Sequence, residues 1–211
     1  MKIDLPKISN ELLTRNFRDI FFEEDPALEN CKIVDSVFEN ESVVRVRLSN
    51  MVIKNCRFNH TNFKNIDITD VHFENCDFSN AILSKSSIHR VVFNNCKLLG
   101  VDFTDSRFGN VQFENSVLNM SLFGESKLEK VNFLDSSLKS TDYYDCKFKK
   151  VDFLSCKLDE ANFDHTSLKG IDISSSTFNT LTVTLDDLKG CKVSTDQAVQ
   201  FAALMGLIIK D

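Results

Sequence analysis

The sequence has no tryptophan and only two tyrosines, two prolines and six glycines in 211 residues. So few chain breakers exclude a fold that depends on many irregular loops. The longest apolar run, FAALMGLII at 201–209, is too short to span a bilayer, so no membrane association is expected. Lys2, Asp4, Pro6 and Lys7 interrupt any early apolar segment, so no signal peptide is read and a soluble cytoplasmic protein is expected. There is no basic surplus either. The formal net charge is −6, which argues against direct nucleic-acid binding through a basic surface. Motifs for phosphate loops, dinucleotide binding, zinc proteases, calcium loops and nucleophile elbows are all missing, so no enzyme and no cofactor is expected.

What is abundant is phenylalanine, 19 residues, and its spacing is unusual. Counting from Ile33, every fifth residue up to Val193 is apolar, through Phe38, Val43, Leu48 and onward without exception. That makes 33 consecutive pentapeptides over residues 31–195, in a chain only 42% apolar. Chance does not produce this. Two residues before these positions stands a second inward residue, usually small or β-branched, as at Ala81, Ser106, Val111 and Val131. A helix repeats every three to four residues and a strand every two, so neither carries a period of five. A chain that turns a corner after every pentapeptide does, and four sides close one coil of twenty residues.

The twenty-residue period can be tested independently, because stacked residues should resemble one another. Val71, Val91, Val111, Val131 and Val151 are so spaced, as are Cys56, Cys76 and Cys96, and Asn55, Asn75, Asn95 and Asn115. Stacking at about 4.8 Å per coil would make eight coils a rod of roughly 39 Å. The expected fold is therefore all-β: a right-handed quadrilateral β-helix of about eight coils with a short C-terminal helix. Three segments are expected: an N-terminal cap at 1–30 folded over the first coil, the coils at 31–195, and a helix with tail at 196–211 that caps and dimerises.

The repeating order of small residue, Asp or Asn, Phe or Leu, then two polar residues resembles that of the pentapeptide-repeat family. All seven cysteines (31, 56, 76, 96, 146, 156 and 191) fall on the small inward position and are expected to be buried filler; no Cys-x-x-Cys pair exists, and no metal site is expected. His60, His72, His89 and His165 fall on outward positions and are read as surface residues.

At the C-terminus the apolar spacing becomes helical, with Ala198, Phe201, Ala202 and Met205 on one face. Ser194 or Thr195 is placed to cap the start, Asp196 suits the helix dipole, and Gly206 suits the end. Phe201, Leu204, Met205, Leu207 and Ile208 exceed what one cap needs, and a homodimer contact is expected there. This ending, Asp196-Gln197-Ala198 followed by Leu204-Met205 and Gly206-Leu207, resembles that of the quinolone-resistance Qnr proteins and the related MfpA. In that group the C-terminal module pairs two rods end to end, and the dimer resembles duplex DNA and binds DNA gyrase. The resemblance implies DNA gyrase or topoisomerase IV as partner, with reduced quinolone susceptibility as the outcome. Mobile-element Qnr proteins also carry loops between coils, and this register has none from 31 to 195.

An acidic stripe of Asp102, Asp105, Glu125, Asp142, Asp145 and Asp164 shares one side with Phe103, Phe123, Tyr143 and Phe163. The next side is basic, with Arg107, Lys127, Lys130, Lys147, Lys149, Lys150, Lys169 and Lys189. Partner binding is assigned to the acidic stripe; the competing reading is a non-catalytic scaffold for an unrelated protein.

Overall fold

The computed structural model describes residues 2–210. Its backbone has positive φ at every fifth residue from Asn30 to Gly170. These are the corners. Ten of the non-glycine corner residues are Asn and five are Asp, the types that enter the left-handed region at least cost. At one or two corners of each coil from Phe58 onward the turn closes on itself, as where Thr61 N donates to Phe58 O (3.3 Å) and Ile66 N to Phe63 O (3.0 Å). Positive φ at the third residue of such a turn is the type II signature. Four walls result, centred on Ile33, Phe38, Val43 and Leu48 and their successors at steps of twenty.

The fourth and first walls join into continuous strands. In chain order these are β1 (Leu13–Arg15), β2 (Ala27–Glu29), β3 (Cys31–Val34), β4 (Arg47–Lys54), β5 (Asp67–Glu74), β6 (Ser87–Asn94), β7 (Arg107–Glu114), β8 (Lys127–Leu134) and β9 (Lys147–Leu154). All pair in parallel, in the order β1-β3-β4-β5-β6-β7-β8-β9, with β2 also on β4. From β4 to β9 each residue faces the one twenty positions on, as Phe73 faces Phe93 and Phe93 faces Phe113. The other two walls pair through single bridges, such as Arg57 with Asp77 and Asn62 with Ile82, and through one short parallel pair, Ala161–Asn162 with Leu181–Thr182. The fold is the expected right-handed β-solenoid of about eight turns with a short C-terminal helix.

Register puts like on like inside. Phe73, Phe93, Phe113, Phe133 and Phe153 stack with ring centroids 4.9–5.1 Å apart and planes within 7°. Phe103, Phe123, Tyr143 and Phe163 form a second stack. Each buried ring contributes roughly 1.5–3 kcal/mol, so the stacks dominate the core. Polar residues at the small inward position are satisfied between coils: Ser106 N donates to Ser126 Oγ (2.9 Å), and Ser106 Oγ donates to Leu83 O (3.2 Å). Hence Ser, Thr and Cys can occupy this slot alongside Val and Ala.

Four features depart from the sequence reading. The coil register begins earlier, because β2 is already in phase and Leu28 is fully buried opposite Leu48. Only part of the N-terminal segment covers the first coil: a 3₁₀ turn at Phe17–Phe22 buries Phe17 and Ile20, while the residues before β1 run along the outside of the fourth wall. At the far end, the apolar period persists in sequence to Val193, but residues 185–190 form turns, with Leu188 N on Thr184 O (3.2 Å). Asp186 occupies the inward slot there, and a carboxylate cannot enter an apolar core unpaired. His72 is also not a plain surface residue; it is half-buried between Val52 and Val92, and burial lowers its pKa.

Tyr143 is fully buried, and no group among the described residues partners its hydroxyl. Removing that oxygen should therefore stabilise the protein. Tyr143→Phe is expected to raise unfolding free energy by about 1–3 kcal/mol in guanidinium titrations. A destabilised variant would mean that the hydroxyl is satisfied.

Candidate functional site: a charged corner and an apolar end

The coil geometry sorts exposed residues into columns about 4.8 Å apart in step, so surface chemistry is column chemistry. The six acids of the third wall fall in three such columns. Asp105, Glu125 and Asp145 occupy successive corners, all exposed, with positive φ. Asp102 and Asp142 belong to a column in which they alternate with Ile82 and Leu122. Both are half-buried and committed locally: Asp102 Oδ1 accepts from Thr104 N (2.9 Å) and Oγ1 (2.7 Å). Asp142 Oδ1 accepts from Tyr144 N (3.1 Å) and Asn162 Nδ2 (2.8 Å). Asp164 lies in a third column, its carboxylate 3.7 Å from His165 Nε2. The corner triplet is thus the freely presented part of the stripe, and Lys85 approaches only its first member, at 3.9 Å from Asp105.

Two residues along from that triplet, Arg107, Lys127 and Lys147 stack in register at the start of β7, β8 and β9. Like charges directly opposite repel, and the adjoining acidic corner offsets this. Elsewhere on the fourth wall the basic residues are partly neutralised: Lys149 pairs with Glu129 at 2.6 Å and Lys130 with Asp4 at 3.4 Å. The Lys149 hydrogen bond holds the Glu129 carboxyl below its usual pKa.

The C-terminal end is closed by α1 (Thr195–Ala202). Ser194 is the cap, with Gln197 N on its Oγ (3.2 Å) and its own N–H on Gln197 Oε1 (2.9 Å). Gln197, the one buried residue of the helix, then donates Nε2 to Ile173 O (2.9 Å) and Ser176 O (2.8 Å). These carbonyls face the open end of the rod, and Gln197 supplies the donors that a further coil would have given. The sequence marked this residue only as part of a motif. Its signal was a glutamine three residues after a serine at the start of a helix. Gly206, in the left-handed region, ends the following 3₁₀ turn Ala203–Met205.

Phe201 packs on Phe178 at 5.3 Å, but the rest of the apolar face has no cover. Leu185, Leu188, Cys191, Val193, Phe201 and Met205 line an open depression. Leu204, Met205, Leu207 and Ile208 are exposed, Ile208 at 86%. Of the residues assigned to dimerisation, Phe201 and Met205 thus share the depression, and the others extend the apolar surface beyond it. Among the described residues no group of three or more His, Cys, Asp or Glu could hold a metal ion, and no helix is long and apolar enough to cross a membrane.

Residues 66–143 and 86–163 match the family model for the pentapeptide repeat region. Together with the coil geometry, this makes the chain a pentapeptide-repeat protein. No curated protein matches it. Among solved structures it is similar to a trypsin-treated form of QnrB1, a plasmid-mediated fluoroquinolone resistance protein, at 20% identity over 87% of this chain and 97% of that one, with a TM-score of 0.40. It is also similar to HetL from Nostoc sp. strain PCC 7120, involved in heterocyst differentiation regulation. There identity is 12% over 79% of this chain and 86% of that chain, and the TM-score is 0.31.

Six of the seven cysteines are buried, as expected; Cys191 is the exception, half-buried at the lip of the depression because the coil that would cover it is replaced by turns. Burial pushes the thiols up, Cys31, Cys156 and Cys191 to about 11 and Cys146 to about 12. Native protein at pH 8 should therefore show at most one slowly reacting thiol, and seven after unfolding. Rapid reaction of two or more native thiols would contradict this burial.

Proposed function

We propose that the protein is a DNA-mimicking rod that binds a type II topoisomerase, DNA gyrase or topoisomerase IV, and that it acts as a dimer joined through its C-terminal ends. The observation that carries this reading is the exposed corner triplet Asp105, Glu125 and Asp145, flanked by Asp102, Asp142 and Asp164 on a straight rigid wall. An enzyme that holds duplex DNA in a basic saddle offers the complementary surface. The spacing of about 4.8 Å between coils keeps neighbouring charges inside a Debye length of about 8 Å, so the triplet acts as one source of field. The likeness of the C-terminal sequence to the Qnr/MfpA ending supports the same partner. Two rods joined at the uncovered apolar ends would double the length of the stripe, and Phe201, Leu204, Met205, Leu207 and Ile208 are the residues for that contact.

The second reading is a scaffold for an unrelated protein. It draws on the basic column Arg107–Lys127–Lys147, which a purely DNA-like surface would not carry beside its acids. Gyrase supercoiling with increasing protein, with and without quinolone, separates the two. Wild-type protein is expected to inhibit supercoiling or shift drug sensitivity at micromolar concentration. Neutralising all six acids should abolish the effect with circular dichroism unchanged, whereas one Asp→Asn change should matter little. If wild-type protein alters neither readout at tens of micromolar, the scaffold reading replaces the topoisomerase one.

A further inference from the structure

The residues before β1 do something that a cap does not require. They leave the first coil and run along the corner column of the fourth wall, formed by Asn50, Asp70, Arg90, Asn110 and Lys130. Ser9 N donates to Asn50 Oδ1 (2.7 Å), Lys7 N to Asp70 Oδ1 (2.8 Å) and Asp4 N to Asn110 Oδ1 (3.0 Å). Asn50 Nδ2 returns a bond to Ser9 Oγ (2.8 Å), and Lys130 Nζ lies 3.4 Å from the Asp4 carboxylate. The lengths agree. Three coils from Asn50 to Asn110 rise about 14 Å, and five residues of extended chain from Ser9 to Asp4 span about 16 Å.

The column reads main-chain amides with side chains. Arg90, like Lys130, carries donors and no acceptor, and its guanidinium is committed to both oxygens of Asp70 at 2.6 Å. Pro6, which has no N–H to satisfy, falls in the arm between the contacts to Asp70 and Asn110. Donor and acceptor order thus match along arm and column. The hold is nevertheless shallow. Ile3 is the arm's one buried side chain, and Leu5 and the Asp4 carboxylate stay largely in solvent. Exposed ion pairs and single amide bonds of this kind are individually weak, and the short tether, worth an effective concentration on the order of millimolar, keeps the arm in place.

We propose that this corner column is a docking site for an extended peptide segment of a partner protein, and that residues 3–9 occupy it in cis as a displaceable stand-in. The segment it fits has an apolar residue followed by a carboxylate, to meet the Ile3 seat and Lys130. Free amides must come three and five residues after the carboxylate, to meet Asp70 and Asn50. The site lies at the opposite corner of the fourth wall from the acidic triplet and uses none of its residues or those of the apolar end, so it stands or falls independently of topoisomerase binding.

The test uses the full chain and a fluorescent peptide of sequence MKIDLPKISN. Ile3→Glu with Asp4→Lys should release the arm by removing its apolar anchor and setting a second positive charge against Lys130. Fluorescence anisotropy should then show the peptide binding this variant at least tenfold more tightly than it binds wild type, whose site is filled. Adding Lys130→Glu to the same variant should restore the ion pair in cis with its two charges exchanged, and weaken trans binding again. Circular dichroism confirms in each case that the rod is intact. The proposal is overturned if the arm-released, folded variant binds the peptide no better than wild type. It is equally overturned if sedimentation shows wild-type protein dimerising through exchanged arms, lost with Ile3→Glu, since the occupant would then be a second copy.

Discussion

A main-chain amide in one coil finds its carbonyl in the next, as Arg57 N does at Ser36 O (2.9 Å) and Phe58 N at Asp77 O (2.7 Å). Everything else in the molecule depends on this exchange. It requires equal coils, because a one-residue slip would turn every inward side chain out. Equal coils require corners at equal intervals, and those require residues that accept positive φ. Asn and Asp meet the requirement without glycine's entropic cost, which is why a chain with so many turns needs only six glycines.

The same exchange creates the molecule's two problems, its ends. At the start, β1 and the Phe17–Phe22 turn build an irregular coil that puts Phe17 against Phe38 and Phe58. At the finish, Gln197 offers two side-chain donors in place of the absent coil, and the helix carrying it leaves an apolar surface uncovered. Between the ends, function has only the columns to work with. Regular walls offer rows of like or alternating side chains at fixed spacing, suited to recognising long, regular partners rather than to enclosing a small substrate.

The coils were legible because both inward positions of each pentapeptide show in the sequence, and stacked residues such as the valines from Val71 to Val151 confirm the twenty-residue step. Of the corner residues, the set Asn55, Asn75, Asn95 and Asn115 shows the same step. The arm was not legible. Its contacts join main-chain amides to side chains 41 to 106 residues away, and no local pattern encodes such pairs. The loss of coil geometry at 185–190 had one sign, Asp186 in an inward slot, whereas Glu41 holds the same slot in an intact coil where Arg18 pairs with it (2.8 Å). Of the acidic stripe, sequence placed all six carboxylates on one wall; it did not reveal that Asp102 and Asp142 are spent on neighbouring groups while the corner triplet is exposed.

The central claim is that twenty residues make one interchangeable coil. Deleting residues 136–155 removes one such unit beyond the reach of the arm's contacts and joins Asp135 to Cys156, which takes over the slot of Ser136. Small-angle X-ray scattering and thermal unfolding, compared with wild type, decide the matter. The account predicts a cooperatively folded rod shorter by about 5 Å. A deletion of eighteen residues, 138–155, should instead lose cooperative unfolding. If the two deletions behave alike, the twenty-residue register does not govern the fold.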